Sequence, residues 1–467
     1  MANEIIIAKH PEYDDAYKTW LLVEDACGGE YKVKKRGVVY LPMPNPDDES
    51  KGNKLRYEQY KTRAVYYNTC FRTLMGMVGV AFRVPPKEVI PASIDYLTLN
   101  ADGSGLSLQQ QAQWVLSEVI KKGRCGVMVD YPMVAGDTSK ADVQRGIRST
   151  IKTYSAEQVI DWNEEKTETG TRLNYVKMCE ISRVLDIQTG LREEVKRYIV
   201  LRLDEGVYTV QHYNDLSHAE DDPVTPLNAS GKPFDYIPFM FVGSENNNPD
   251  IDQALLYDLA VVNVAHYRNS ADNEEASFIA GQPTLAVTSS MNGSDWKEHN
   301  PSGVQIGARK GHFLGESGSL SMVQAQPNNL PRELMKDKEA QMVSLGAQLV
   351  TPTSQETATA TSMKLASNTS ALSLAVGNVS DAYATLMTWA NEFMSSNVEE
   401  TLYSINTDFF PAQLGAAELQ AWVAGVQGDT LPASALYAQM RDAGLTQLTD
   451  EEILAEIDSS SKGIDLG

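Results

Sequence analysis

Two helical patterns set around a segment that cannot itself be helical constrain this chain most. Leu255, Leu259, Val262 and His266 recur at steps of four and three, and the pattern extends through Tyr267 and Arg268 towards Phe278. Met335, Lys338, Met342, Leu345 and Leu349 repeat that spacing further on. Between them, 281–327 is rich in Gly, Ser and Pro, which interrupt helices, and holds only two short strand-like runs, LAVTS and GVQIG. Two helices therefore bracket a compact insertion.

Beyond the second helix, 350–362 (VTPTSQETATATS) is almost wholly small and hydroxyl-bearing with one proline, which predicts an exposed, mobile loop. Leu372, Val376, Val379, Tyr383, Leu386, Ala390 and Phe393 then step by four and three, giving a helix with Gly377 inside it as a bend or a passive packing residue. Near the end, short helices are expected around 419–426 and after the N-cap candidates Asp429/Thr430 and Thr449/Asp450.

In the N-terminal half, Tyr57, Tyr60, Ala64, Tyr67, Phe71, Leu74, Val78 and Phe82 fall on one stripe of a single long helix, read as core packing and ended by RVPP. Ser107 is an N-cap for a helix carrying Trp114, Val115 and Val119 that closes at Gly123, and GRCGVMVDYP continues as a short buried strand. The preceding DGSG turn is not a calcium loop, because Thr98 and Gln109 stand where the first and last acidic ligands belong. From 154 to 243, strand-like runs (TRLNYVKMCEI, VKRYIVLRL, GVYTVQHYN, YIPFMFVG) alternate with polar turns, the pattern of an antiparallel sheet. The fold class is thus α+β.

At 467 residues, 42% hydrophobic and 22% charged, the chain has the composition of a soluble globular protein of two or three units. The N-terminus lacks the features of a signal peptide, and no apolar run is long enough to span a bilayer. Cys27, Cys70, Cys125 and Cys179 are too far apart for a C-x-x-C site and read as free thiols. Walker A, G-x-S-x-G, H-E-x-x-H and Rossmann fingerprints are absent, and of six dispersed histidines only His212 and His218 are close in sequence. No catalytic residue, metal or cofactor is expected. Net charge is −22, and from 381 to 467 fourteen acids face only Arg441 and Lys462. Such a chain gains little affinity by releasing counterions from phosphates, so avid DNA binding is disfavoured.

RAVYYNTCFRTLMGMVGVAFRVPP, DGSGLSL with GRCGVMVDYP, LLYDLAVVNVAHYRNSADNEEASFIAGQPTL, MVSLGAQL, and NTDFFPAQL with GDTLPASALYAQMRDAGL together resemble the portal proteins of tailed bacteriophages. The resemblance is spread over most of the chain and rests on the order and spacing of these runs. It implies a portal fold in which 1–250 form an α/β wing, 251–280 and 330–349 the two stem helices, and 281–329 a small α/β clip. The segment 350–362 would be the tunnel loop, 363–413 the long helix and the returning part of the wing, and 414–467 a helical crown. It further implies a homo-oligomeric ring, commonly a dodecamer, at one capsid vertex of the virion, assembled in the host cytoplasm. Double-stranded DNA would pass through without sequence preference. A terminase motor, a head-to-tail adaptor, the major capsid protein and a scaffold would be the protein partners.

A channel for DNA of any sequence needs a wall that does not hold phosphate, and an acidic, hydroxyl-rich lining meets that need. On this reading Thr351, Thr353, Ser354, Gln355, Glu356, Thr357, Thr359 and Thr361 touch passing DNA, and Lys364, the one cation between 346 and 380, faces the channel behind them. Trp296, Lys297, Arg309, Lys310 and Phe313 form a basic and aromatic set in the insertion suited to docking a partner. The alternatives are an acidic multidomain hydrolase, in which nothing selects the carboxylates, and a non-portal capsid or tail component.

Overall fold

The computed structural model describes residues 8–131, 147–168, 170–214, 218–282, 284–304, 312–326, 328–346, 358–407, 409, 416–428, 430–442, 445–446 and 448–461, with backbone alone for 358–370, 416–418, 442 and 458–461. It is a mixed α+β structure with twelve helices among the described residues. None of these helices is long and apolar enough to cross a membrane.

The chain opens with α1 (Tyr13–Gly28), α2 (Glu30–Lys35), α3 (Lys51–Arg63) and α4 (Thr69–Ala81). Helices α3 and α4 replace the single helix expected from the aromatic stripe. The chain turns extended at Ala64 (ψ 136°), and Asn68 restarts the helix by accepting the Phe71 N–H at 3.0 Å. The break divides the stripe. Tyr57, Tyr60 and Ala64 are buried in one cluster and Leu74 in another, whereas Tyr67 and Phe71 are each 47% exposed. A steady spacing of three and four cannot reveal a break in which every residue keeps its place in the count.

After β1 (Lys87–Val89), Ser107 caps α5 (Leu108–Lys122) through a reciprocal bond pair with Gln110, as expected. Gly123 ends it in the left-handed region (φ 77°), where a Cβ would collide with the Asp252 carbonyl oxygen. β2 (Arg124–Asp130) follows at once and is buried almost throughout. It is the central strand of a three-stranded sheet, antiparallel to β3 (Thr150–Ser155) on one side and β8 (Phe239–Gly243) on the other. A separate four-stranded meander runs β4 (Val159–Thr167), β5 (Gly170–Leu185), β6 (Arg192–Asp204) and β7 (Val207–Asn214). The expected single sheet over 154–243 is therefore two. YIPFMFVG leaves the meander because nearly every residue of β8 is buried, which suits a strand in a covered core and not the next edge of a half-solvated sheet.

Next come α6 (Tyr257–Ala280), β9 (Thr284–Thr288), α7 (Gly293–His299), β10 (Ser319–Val323), α8 (Leu330–Leu345) and α9 (Ala358–Met394). The 37 residues of α9 reach about 55 Å. All seven positions of its predicted apolar stripe are at most 5% exposed. They pack against α5 and the β3-β2-β8 sheet in the main core. Gly377 has no heavy atom within 4 Å of a would-be Cβ, so close packing does not explain it. β11 (Leu402–Ser404) then pairs with β1, and α10 (Ala416–Gln427), α11 (Ala433–Asp442) and α12 (Asp450–Ser461) finish the chain. Thr449 caps α12 through the Glu452 N–H at 3.3 Å, as expected. Thr430 does not cap α11, because its hydroxyl turns back to donate to the Gly425 carbonyl at 2.8 Å.

Asn263 of α6, fully buried, joins these helices. Its amide donates to the Tyr67 carbonyl at 2.7 Å, and its oxygen accepts from the Tyr66 hydroxyl at 3.0 Å and the Thr69 and Cys70 N–H groups at 3.2 and 3.3 Å. Asn263→Ala takes from the buried Cys70 N–H its one side-chain acceptor, while the Tyr66 hydroxyl keeps the Ala26 carbonyl and the Thr69 N–H keeps the Tyr67 carbonyl. It should lower the unfolding free energy by about 2 kcal/mol, read from the urea midpoint.

Candidate functional site

The helix pair expected from sequence is present. α8 packs along α6, and the two carry between them the unit β9-α7-β10. His266 of α6, 2% exposed, meets the Glu339 carboxylate of α8 across the pair at 3.2 Å. At the end of α8, Gly346 approaches Thr73 of α4 and Leu259 of α6 so closely that a Cβ would stand 3.0 and 3.5 Å from them. At the insertion end of α6, Glu275 pairs with Arg63, Arg56 lies 3.5 Å from it, and Asp272 accepts from the Tyr60 hydroxyl at 2.6 Å. Helix α6 is thus clamped at its middle and beyond by α3, while its last turn leaves Phe278 and Ile279 exposed.

In the insertion, β9 pairs antiparallel with β10 from Thr284↔Val323 to Thr288↔Ser319. The partner of LAVTS is therefore SLSMV and not GVQIG, of which residues 303–304 are outside any strand and 305–307 lie outside the described residues. Serines at alternate positions of SLSMV hide it from a search for apolar runs. Asn292 caps α7 by accepting the Ser294 and Asp295 N–H groups at 3.1 and 2.9 Å. Trp296 is half-buried and Lys297 exposed on that helix. Phe313 packs its ring 5.2 Å from His299, and its carbonyl accepts from the Asn300 amide at 3.0 Å. Arg309 and Lys310 lie outside the described residues. The structure thus brings Phe313 to the end of the helix that carries Trp296, through His299 and Asn300, two residues sequence reasoning missed although they follow Trp296 at steps of three and four.

Of the proposed channel residues, Thr351, Thr353, Ser354, Gln355, Glu356 and Thr357 lie outside the described residues. Thr359, Thr361 and Lys364 fall in the first two turns of α9, so the last part of 350–362 is helix and not loop. Thr and Ser after a proline read as loop from local preference, and the long packed helix behind them extends into that stretch against it.

What spacing could not foretell is how much apolar surface this region leaves uncovered. Leu320, Met322 and Val323 of β10 and Leu330, Leu334, Val343 and Leu345 of α8 are all exposed. Two strands with such a surface are marginal alone in water.

Elsewhere, a cleft of about 250 Å³ lies at the end of β2, lined by Asp130, Tyr131, Tyr208, His212, Asp221 and Phe393 among others. His212 Nδ1 meets Asp221 at 2.8 Å, and Tyr131 stacks on Phe393 at 5.6 Å. Its described lining holds no Ser, Thr or Cys that a His–Asp pair could activate. His212 is paired here with an aspartate, and not with His218, its neighbour in sequence.

A family model described as a domain of unknown function, DUF4055, matches residues 255–394. That segment takes in α6, the insertion, α8 and all of α9. No match was found among curated proteins.

Burial pushes the Asp130 carboxyl above its usual range, against the pull of Lys152 and His212. The folded value is the raised one, so the stability tied to this group is complete below the unfolded pKa of about 3.9 and is lost as pH rises through the folded value. Asp130→Asn should accordingly raise the urea midpoint at pH 7, and the gain should shrink below about pH 4.

Proposed function

We propose that this chain is the ring-forming portal subunit of a tailed bacteriophage, a passage for double-stranded DNA at one capsid vertex and a platform for a terminase motor and a head-to-tail adaptor. The observation that carries the reading is the helix–insertion–helix unit followed by a long core helix, with apolar side chains left exposed along α8 and β10. A lone chain gains nothing from wetting those residues, and neighbours around a closed ring would cover them. The family match over 255–394 spans that same unit and no more.

In this reading α6 and α8 are the stem, 281–329 the clip, and α9 the helix behind the channel lining. The net charge of −22 keeps DNA a passing guest, since 62 acidic residues outnumber the 40 basic ones and repel phosphate. Lys364, in the second turn of α9, follows directly on the hydroxyl-rich segment and would brake DNA against slipping. The energy for packaging comes from the separate motor.

Negative-stain images of the purified chain should contain rings with a central hole; a monodisperse monomer sinks the reading. Removing 281–329 should leave a folded subunit that binds neither terminase nor adaptor, read by pull-down and circular dichroism. In a packaging assay, Lys364→Ala particles should retain less full-length DNA than wild type.

A further inference from the structure

The meander carries a feature that its own body does not use. β4 pairs with β5 only as far as Met178, and β7 pairs with β6 only from Arg197 onward. Past those points β5 and β6 continue as a ribbon of two strands, joined in register from Ile181↔Lys196 to Leu185↔Arg192. Every residue from 181 to 197 is exposed. Five residue pairs at strand spacing carry the ribbon roughly 17 Å beyond the sheet.

The tip is built and not slack. The Asp186 carboxylate accepts from the Gln188 N–H at 2.8 Å and the Thr189 hydroxyl at 2.7 Å. The Asp186 N–H donates to the Leu191 carbonyl at 2.9 Å, with Gly190 at φ 70° closing the turn. This holds Ile187 and Leu191 out at 90% and 66% exposure.

Alternation puts Ile181 and Leu185 on one face and Val184 with Val195 on the other. With large aliphatic groups on both faces and at the tip, the ribbon is covered only by a crevice that takes it from two sides. A flat surface leaves half of them wet.

The charge pattern selects what offers the crevice. Between 180 and 197 acids and bases balance, four of each, in a chain of net charge −22. Copies of so acidic a chain repel one another at most of their surface, and they approach without that cost where the charge cancels. A projecting element on one copy and a receiving one on the next is also the heterologous contact that closes a ring.

We propose that the outer β5–β6 ribbon inserts into a crevice of a second copy of this chain and holds neighbours together. This deepens the ring reading and rests on it.

The test uses the full chain. Benzoylphenylalanine in place of Ile187, in rings mixed from light and ¹⁵N-labelled chains, should give photocrosslinked peptide pairs of mixed isotope. Rings in which the crosslink stays within one copy, or fails to form, overturn the ribbon assignment and leave the ring reading standing. Absence of rings from the wild-type chain overturns both. The triple variant Val184→Ser, Leu185→Ser, Ile187→Ser alters only exposed positions and should fold as wild type by circular dichroism. It should raise at least tenfold the concentration at which half the chains are in rings by mass photometry, and unchanged assembly overturns the proposal.

Discussion

One buried amide, that of Asn263, holds the helical half of the molecule together. The chain leaves helical geometry between α3 and α4, and a break of that kind frees backbone N–H and C=O groups at a junction whose Ala64, Tyr66, Thr69 and Cys70 are buried. Asn263 answers three of them with one side chain, the Tyr67 carbonyl and the Thr69 and Cys70 N–H groups, and Ser270, two turns on, accepts the Val65 N–H at 3.1 Å. Because both residues sit on α6, the break fixes where α6 lies, and α6 in turn fixes the height of α8 and of the insertion. A leucine in place of Asn263 would suit the helix and ruin the junction.

Much of the helical pattern was legible because burial on one side of a helix writes itself into the spacing of apolar residues. The stripe from Leu372 to Phe393 is the clearest case, and the Ser107 cap and Gly123 stop were as plain. The failures share a physical cause. The break at 64–68 keeps the count of the aromatic stripe, so its interruption depends on Asn263, about two hundred residues away. β8 pairs with β2 because it is buried on both sides, a fact of the finished core and not of the local run. β10 escaped notice since Ser alternates with apolar residues along its first positions and every residue of it is exposed. His212 faces Asp221 across a turn of the chain that spacing does not describe.

Charge and apolar exposure divide the surface between them. The chain as a whole repels its own kind, while α8, β10 and the β5–β6 ribbon present uncharged or balanced surface. Were copies of the chain to associate, contacts between them would be confined to a few places, and where the acids lie would set the geometry as much as where the leucines lie.

The pairing of β1 with β11 joins Lys87–Val89 to Leu402–Ser404, more than three hundred residues apart. On a ribosome the first strand emerges long before the second exists, so β1 waits for most of synthesis with its edge open. The stretch from α6 to α8 closes locally, by contrast, and can fold as it emerges. The order of events follows from the topology: the protruding parts are finished first and the body that bears them is closed last, so a truncated chain carries finished tips on an unfinished base.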